Sequence, residues 1–159
     1  MTIKDRILKI ILWFSRKTIP IDFFAYRYPI SVKGIIIWED KVLLLKNERD
    51  EWDLPGGKLS ADVSAEACLI REVKEETNLD VSIGHLEATF IYNVQNWVRV
   101  LVVVYQCSVI SKKEDLKISG EHYDVGFFSV QNLKTININQ TYKNIVIPII
   151  ERGKNIHLS

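Results

Sequence analysis

The sequence predicts an α+β domain, a mixed sheet with helices against it, and three observations lead there. Aliphatic and β-branched runs recur at 30–38, 42–45, 81–92 and 97–109. One segment, 64–77, combines helical periodicity with a good cap at each end. The 159 residues hold no repeat, low-complexity tract or linker, so one hydrophobic core is expected.

Residues 1–29 read as an N-terminal amphipathic helix and extension, and 30–159 as the domain. Ile7 to Phe14 is apolar apart from Lys9, with Lys4, Arg6, Arg16 and Lys17 around it. A span needs ~20 apolar residues, so this run is too short to cross a bilayer. No small-residue cleavage site follows, which argues against a signal peptide. The expected role is a helix packed on the domain or on a second subunit, which allows a homodimer. Membrane contact through residues 3–17 is the weaker alternative, since basic flanks around Trp13 and Phe14 suit headgroups.

Ile30–Trp38 and Val42–Leu45 read as strands joined by a turn at Glu39-Asp40-Lys41. Pro55-Gly56-Gly57 must break any regular element. The helix over 64–77 has Ser64 as N-cap, Leu69, Ile70 and Val73 as apolar stripe, and Asn78 for the left-handed turn at its end. Val81–Tyr92 and Trp97–Val109 read as long strands joined through Asn93 to Asn96. In the second, Val98, Val100, Val102 and Val104 alternate with Trp97, Arg99, Leu101, Val103 and Tyr105, so both faces look covered. Ser111–Glu121 is a charged loop, Val125–Val130 a short strand, and Thr141–Glu151 a closing helix interrupted near Pro148.

Apolar residues make up 47% and charged residues 26%, which excludes a disordered chain. The net charge of +1 supplies no overall field for nucleic acid or a membrane. A polyanionic ligand must therefore be held by local basic groups or by metal. Cys68 and Cys107 match no zinc spacing and suggest no disulfide framework, which fits a reduced, cytoplasmic setting.

The chemistry concentrates between Gly56 and Leu79. Glu72, Glu75 and Glu76 share one face of the predicted helix, on an arc of about 100°. Like charges at this spacing cost a few tenths of a kcal/mol per pair. The macrodipole also disfavours anions at a helix C-terminus. A hard divalent cation relieves both penalties. An ordinary solvated acidic face is the bland alternative, and Arg71, four residues before Glu75, suits an ordinary surface pair. The Gly-Gly turn shifts the balance, because glycines let the backbone approach a ligand closely. A short polar loop between turn and helix can bring a backbone carbonyl and the carboxylates to one cation.

Pro55-Gly56-Gly57 followed by Arg71-Glu72-Val73-Lys74-Glu75-Glu76-Thr77 resembles the Nudix box, G-x5-E-x7-R-E-U-x-E-E-x-G-U with U aliphatic. Gly57, Arg71, Glu72, Val73, Glu75, Glu76 and Leu79 match at the right spacings, and the resemblance covers residues 30 to 152. Two positions depart from it. The early glutamate falls on Val63, which can neither ligate metal nor pair with Arg71, and the late glycine falls on Asn78. Asp62 is the neighbour able to take over part of the missing role.

The resemblance implies a mixed β-sheet packed between helices, an α/β/α sandwich. It implies Mg²⁺-dependent hydrolysis of a diphosphate bond in a small nucleotide-like substrate, with Mn²⁺ able to substitute; no nucleic acid partner is expected, from the net charge of +1. Glu72, Glu75, Glu76 and the Gly56 carbonyl are the expected metal ligands. Arg71, Glu72, Glu75 and Glu76 are the expected catalytic set. Glu121, in Gly120-Glu121-His122-Tyr123-Asp124, joins that set as a later acidic ligand or base. Arg49, Lys58, Tyr92 and Trp97 are the expected substrate contacts, while Phe90 and Trp52 read as packing residues. His85, His122 and His157 form no ligand spacing and read as structural or exposed. No feature separates ADP-ribose, dinucleoside polyphosphates, nucleotide sugars and (d)NTPs, although no proline follows the box where ADP-ribose-cleaving relatives often carry one. The rival from another class is a Nudix-fold module that senses a nucleotide without cleaving it, supported by Val63. An isoprenoid diphosphate isomerase has no support, since neither cysteine is placed for it.

Overall fold

The structure, a computed structural model, describes residues 28–94, 98–120 and 122–156. The expectations for the N-terminal segment and for Trp97, Glu121 and His157 lie outside the described residues. The elements run β1 (Ile30–Trp38), β2 (Lys41–Lys46), β3 (Trp52–Asp53), α1 (Ala65–Thr77), β4 (Val81–Val94), β5 (Val98–Val109), β6 (Asp124–Phe128), α2 (Val130–Thr135) and α3 (Gln140–Ile156). The sheet order is β3-β2-β1-β5-β4, with β6 on β2. Among the described strands only the β1–β5 pair is parallel, so the sheet is mixed as expected.

Alternation along the strands makes two cores. Val32, Ile36, Leu43 and Cys107 point to one face and pack with Leu69 and Val73 of α1. Ile35, Val42, Leu44, Val102 and Val104 point to the other, against Leu133 of α2 and Tyr142, Val146 and Ile150 of α3. Helices therefore cover both faces of the sheet. Each fully buried aliphatic side chain contributes roughly 1.5–3 kcal/mol, so the two clusters dominate the stability.

The β1–β2 turn is Glu39-Asp40, with φ of 46° and 59° at its two residues. This is the left-handed two-residue turn whose twist matches a hairpin, here made without glycine. Next to it, Ile37 pairs Val42 and Trp38 pairs Lys41. Further from the turn, the edge of β1 is taken by the chain that follows β3. The Val32 amide donates to the Gly57 carbonyl and the Gly34 amide to the Pro55 carbonyl, both at 2.9 Å. The Gly-Gly turn is thus held as an irregular strand beside β1.

Four sequence expectations need correction. The β4–β5 strands extend through Asn93 and Val94, which pair with Arg99 and Val98, so the connection is shorter than 93–96. The strand expected over 125–130 ends at Phe128, because Ser129 caps a short helix in which Asn132 reciprocates the cap. Helix α3 runs unbroken through Pro148. Ile70 is exposed, and Cys68 joins Leu69 and Val73 in the buried stripe instead.

Candidate active site

Helix α1 places the acidic groups. Ser64 accepts from the Ala67 amide at 3.1 Å, a cap worth about 1 kcal/mol. Asn78 closes the helix at φ 60°, its amide donating to the Lys74 carbonyl. Leu69 and Val73 pin the helix to the sheet, which turns Glu72 and Glu76 toward the Gly-Gly turn.

Glu76 is the most constrained of the set, at 8% exposure. The Gly56 amide donates to its Oε2 at 2.7 Å, and His122 Nε2 lies 2.8 Å from its Oε1. Burial pushes the Glu76 carboxyl above the usual carboxylate range, opposed by the Gly56 amide, by His122 and by the charge of Lys33. Glu72 lies over the bare face of Gly57, where an added Cβ would fall 2.2 Å from its Oε2. Gly56 is at φ 129°, and a Cβ there would meet the Val32 carbonyl oxygen at 2.2 Å. Each glycine is therefore required, for a different reason.

Arg71 donates from Nη2 to Glu72 Oε1 at 2.5 Å and from Nη1 to Glu75 Oε2 at 3.0 Å. These bonds, that to Glu75 foremost, raise the guanidinium above its ordinary value. The pair with Glu75 is the surface pair that the spacing suggested. Val63, where a glutamate was expected, is 42% exposed.

Beside the turn lies a cleft of about 250 Å³, lined by Lys33, Asn47, Arg49, Trp52, Asp53, Tyr92, Asn137 and Tyr142, among others. Arg49 and Tyr92, two of the expected substrate contacts, both line this cleft. Arg49 Nε donates to Glu51 Oε2 at 2.9 Å, and this bond raises its pKa. Lys58 is exposed and does not line the cleft; its backbone bridges Ser31. Trp52 packs edge-on to Phe128 and Phe90 to Tyr142, as packing residues should.

Two residues escaped the sequence reading. His122 contacts Glu76, and its position beside Glu121 was the one available signal. Lys33 gave none, since a lysine in a β-branched strand looks like any solvated position. Its ammonium is the hub between cleft and turn, donating to Asp53 Oδ2 at 2.9 Å, the Leu54 carbonyl at 3.0 Å and the Gly56 carbonyl at 3.1 Å.

Among the described residues no three His, Cys, Asp or Glu side chains already converge on one point. Beside the nitrogens of His122 and Lys33, the groups at the turn that could take a cation are nevertheless mainly oxygens, namely the carboxylates of Glu72 and Glu76 and the Gly56 carbonyl. That set fits a hard divalent cation and not a soft one.

The chain is similar to several known proteins. The chain is 29% identical over 114 residues to an ADP-ribose pyrophosphatase of Methanocaldococcus jannaschii, covering 68% of this chain and 66% of that one. It is 43% identical over 65 residues to mRNA-decapping enzyme subunit 2 of Arabidopsis thaliana, covering 38% of this chain but 17% of that protein. The chain therefore spans under a fifth of the length of that relative. Among solved structures, an ADP-ribose pyrophosphatase of Streptococcus suis superposes with a TM-score of 0.64 at 27% identity, covering 80% of this chain and 92% of that one. A MutT protein of Methanosarcina mazei gives a TM-score of 0.67 at 25% identity, covering 82% and 98%. The NUDIX domain profile matches residues 27–147, a stretch holding the turn, the acidic helix and the cleft. The chain belongs to the NUDIX domain family.

Proposed function

We propose that this protein is a divalent-metal-dependent hydrolase, using Mg²⁺ or Mn²⁺, that cleaves the diphosphate bond of a nucleoside diphosphate derivative. The observation that carries it is the meeting of Glu72 and Glu76 at Gly56-Gly57, beside a cleft with an arginine and aromatic rings. Glu72, Glu75, Glu76 and the Gly56 carbonyl are the groups to hold the cation, which would supply charge neutralisation at the phosphate oxygens. Arg49 faces the cleft as a phosphate contact, and Tyr92 offers a ring to a base. Lys58 lies outside the cleft, so its contact would be with a group extending beyond it. The base that takes the proton of the attacking water is drawn from Glu75 or Glu121. Trp97 remains a proposed wall of the base site.

Similarity to proteins named ADP-ribose pyrophosphatase moves ADP-ribose to the front of the substrates, ahead of (d)NTPs, nucleotide sugars and dinucleoside polyphosphates. The relatives named for mRNA decapping add a capped mRNA to the set. We place residues 30–159 in one catalytic domain acting in the cytoplasm.

The test is phosphate or monophosphate release from this panel with Mg²⁺, Mn²⁺ or EDTA, for wild type and Glu76→Gln. Cleavage that needs metal and falls at least a hundredfold in the variant is expected. Binding of a panel member without turnover would instead make the chain a nucleotide sensor.

A further inference from the structure

Every group expected to hold the cation already has at least one oxygen engaged by a donor of the chain itself. Arg71 holds Glu72 and Glu75, His122 and the Gly56 amide hold the two oxygens of Glu76, and Lys33 holds the Gly56 carbonyl. A carboxylate only accepts, so the Nε2 of His122 that faces it carries the hydrogen. The backbone around the Gly-Gly turn also has holds of its own, apart from these side chains. Amide–carbonyl bonds tie it to β1 from Val32 and Gly34, and the Leu59 amide ties it to the Ile30 carbonyl. The basic side chains thus supply charge and hydrogen bonds at the site more than they supply its shape.

Resting on the hydrolase reading above, we propose that Arg71 and His122 are built-in competitors of the divalent cation. While the metal is away Arg71 offsets the charge of Glu72 and Glu75 and His122 occupies an oxygen of Glu76, and both must be displaced when it binds. The consequence has a definite sign. An arginine charge about 6 Å from a dication weakens its binding about tenfold even at the dielectric constant of water. Position 63 carries valine, and Arg71 makes its ion pairs with Glu72 and Glu75. A residue that merely positioned the glutamates would act in the opposite direction, since its loss would weaken metal binding.

The experiment is a Mn²⁺ titration of the full chain without nucleotide, at low ionic strength, following the paramagnetic resonance signal of the free ion. Arg71→Gln should bind Mn²⁺ about tenfold more tightly than wild type, and His122→Phe, which keeps a ring but loses the donor, should also bind more tightly. Adding Glu76→Gln to Arg71→Gln should abolish the gain, which ties it to this site. Equal or weaker binding by Arg71→Gln overturns the proposal, and so does an absence of Mn²⁺ binding in both proteins. Arg71 lies half-exposed on a helix surface, so its variant folds and decides the matter even where His122→Phe does not. Turnover on the substrate panel judges the hydrolase reading separately. A chain that cleaves but shows the wrong sign here keeps the function and loses this inference.

Discussion

Gly56 and Gly57 look equivalent in the sequence, and the structure separates them. A Cβ on Gly56 would strike the backbone carbonyl of Val32 at 2.2 Å and impose a φ of 129° on an L-residue. Gly56→Ala should therefore lower the unfolding free energy by about 3 kcal/mol or more, read from urea melts. A Cβ on Gly57 meets instead the far end of the Glu72 side chain. Gly57→Ala should keep stability within about 1 kcal/mol of wild type yet lose turnover at least tenfold, because Glu72 is pushed from the turn. The sequence shows that a glycine turn precedes an acidic helix; which glycine guards the backbone and which the carboxylate depends on contacts between residues far apart in the chain. Glu76 gives a second residue-scale prediction. Its folded pKa is raised above the unfolded value of 4.5, mainly by burial. The folded state then holds the proton over a pH range where the unfolded state has lost it. Stability from this group is present below about pH 4.5 and is lost as pH rises through the higher folded pKa. In metal-free protein, Glu76→Gln should accordingly melt above wild type at pH 7 to 8, with the gap closing toward pH 4. A gap that stays constant across this range would show that burial of the charge is not the cause.

Among the elements, legibility follows length and periodicity. Helix α1 is readable from Ser64 to Asn78 because caps and apolar stripe agree. Helix α2 has six residues, too few for a period to show, and only Ser129 with Asn132 three residues later marks its start. The break that Pro148 suggests in the sequence is absent from helix α3. The buried stripe of Tyr142, Val146, Ile149 and Ile150 continues across it and outweighs one missing hydrogen bond. Pro148 is exposed, and so is Asn144, whose carbonyl its ring leaves without an amide partner. Pro148→Ala restores that amide at the expense of a more flexible unfolded chain, and should stabilise the protein by about 1 kcal/mol. Thermal melts of the two proteins check this, and a fall in stability would mean that the ring packs in a way the helix needs.

For the whole molecule, the alternation of β1, β2 and β5 reveals that the sheet is covered on both faces, but periodicity assigns faces and not neighbours. The parallel pairing of Ile30 through Ile36 with Leu101 through Cys107 joins segments some seventy residues apart and was not legible. That pairing matters for the site, because β1 anchors the Gly-Gly turn on its other edge. The two cores that result are not equivalent. Leu69, fully buried on the α1 side, lies close enough that a Cβ on Gly56 would come within 3.1 Å of its Cδ1. Leu133, equally buried on the α2–α3 side, lines neither the turn nor the cleft. Truncating either to alanine should cost about 2–5 kcal/mol. Measured on the folded fraction below the melting range, Leu133→Ala should keep turnover within about twofold of wild type. Leu69→Ala should lose about tenfold, since a loosened Leu69 frees Gly56 and with it the Glu76 carboxylate that the Gly56 amide holds. Equal losses in the two variants would mean that the turn is held by its bonds to β1 alone, and that α1 carries the carboxylates without fixing the backbone they meet.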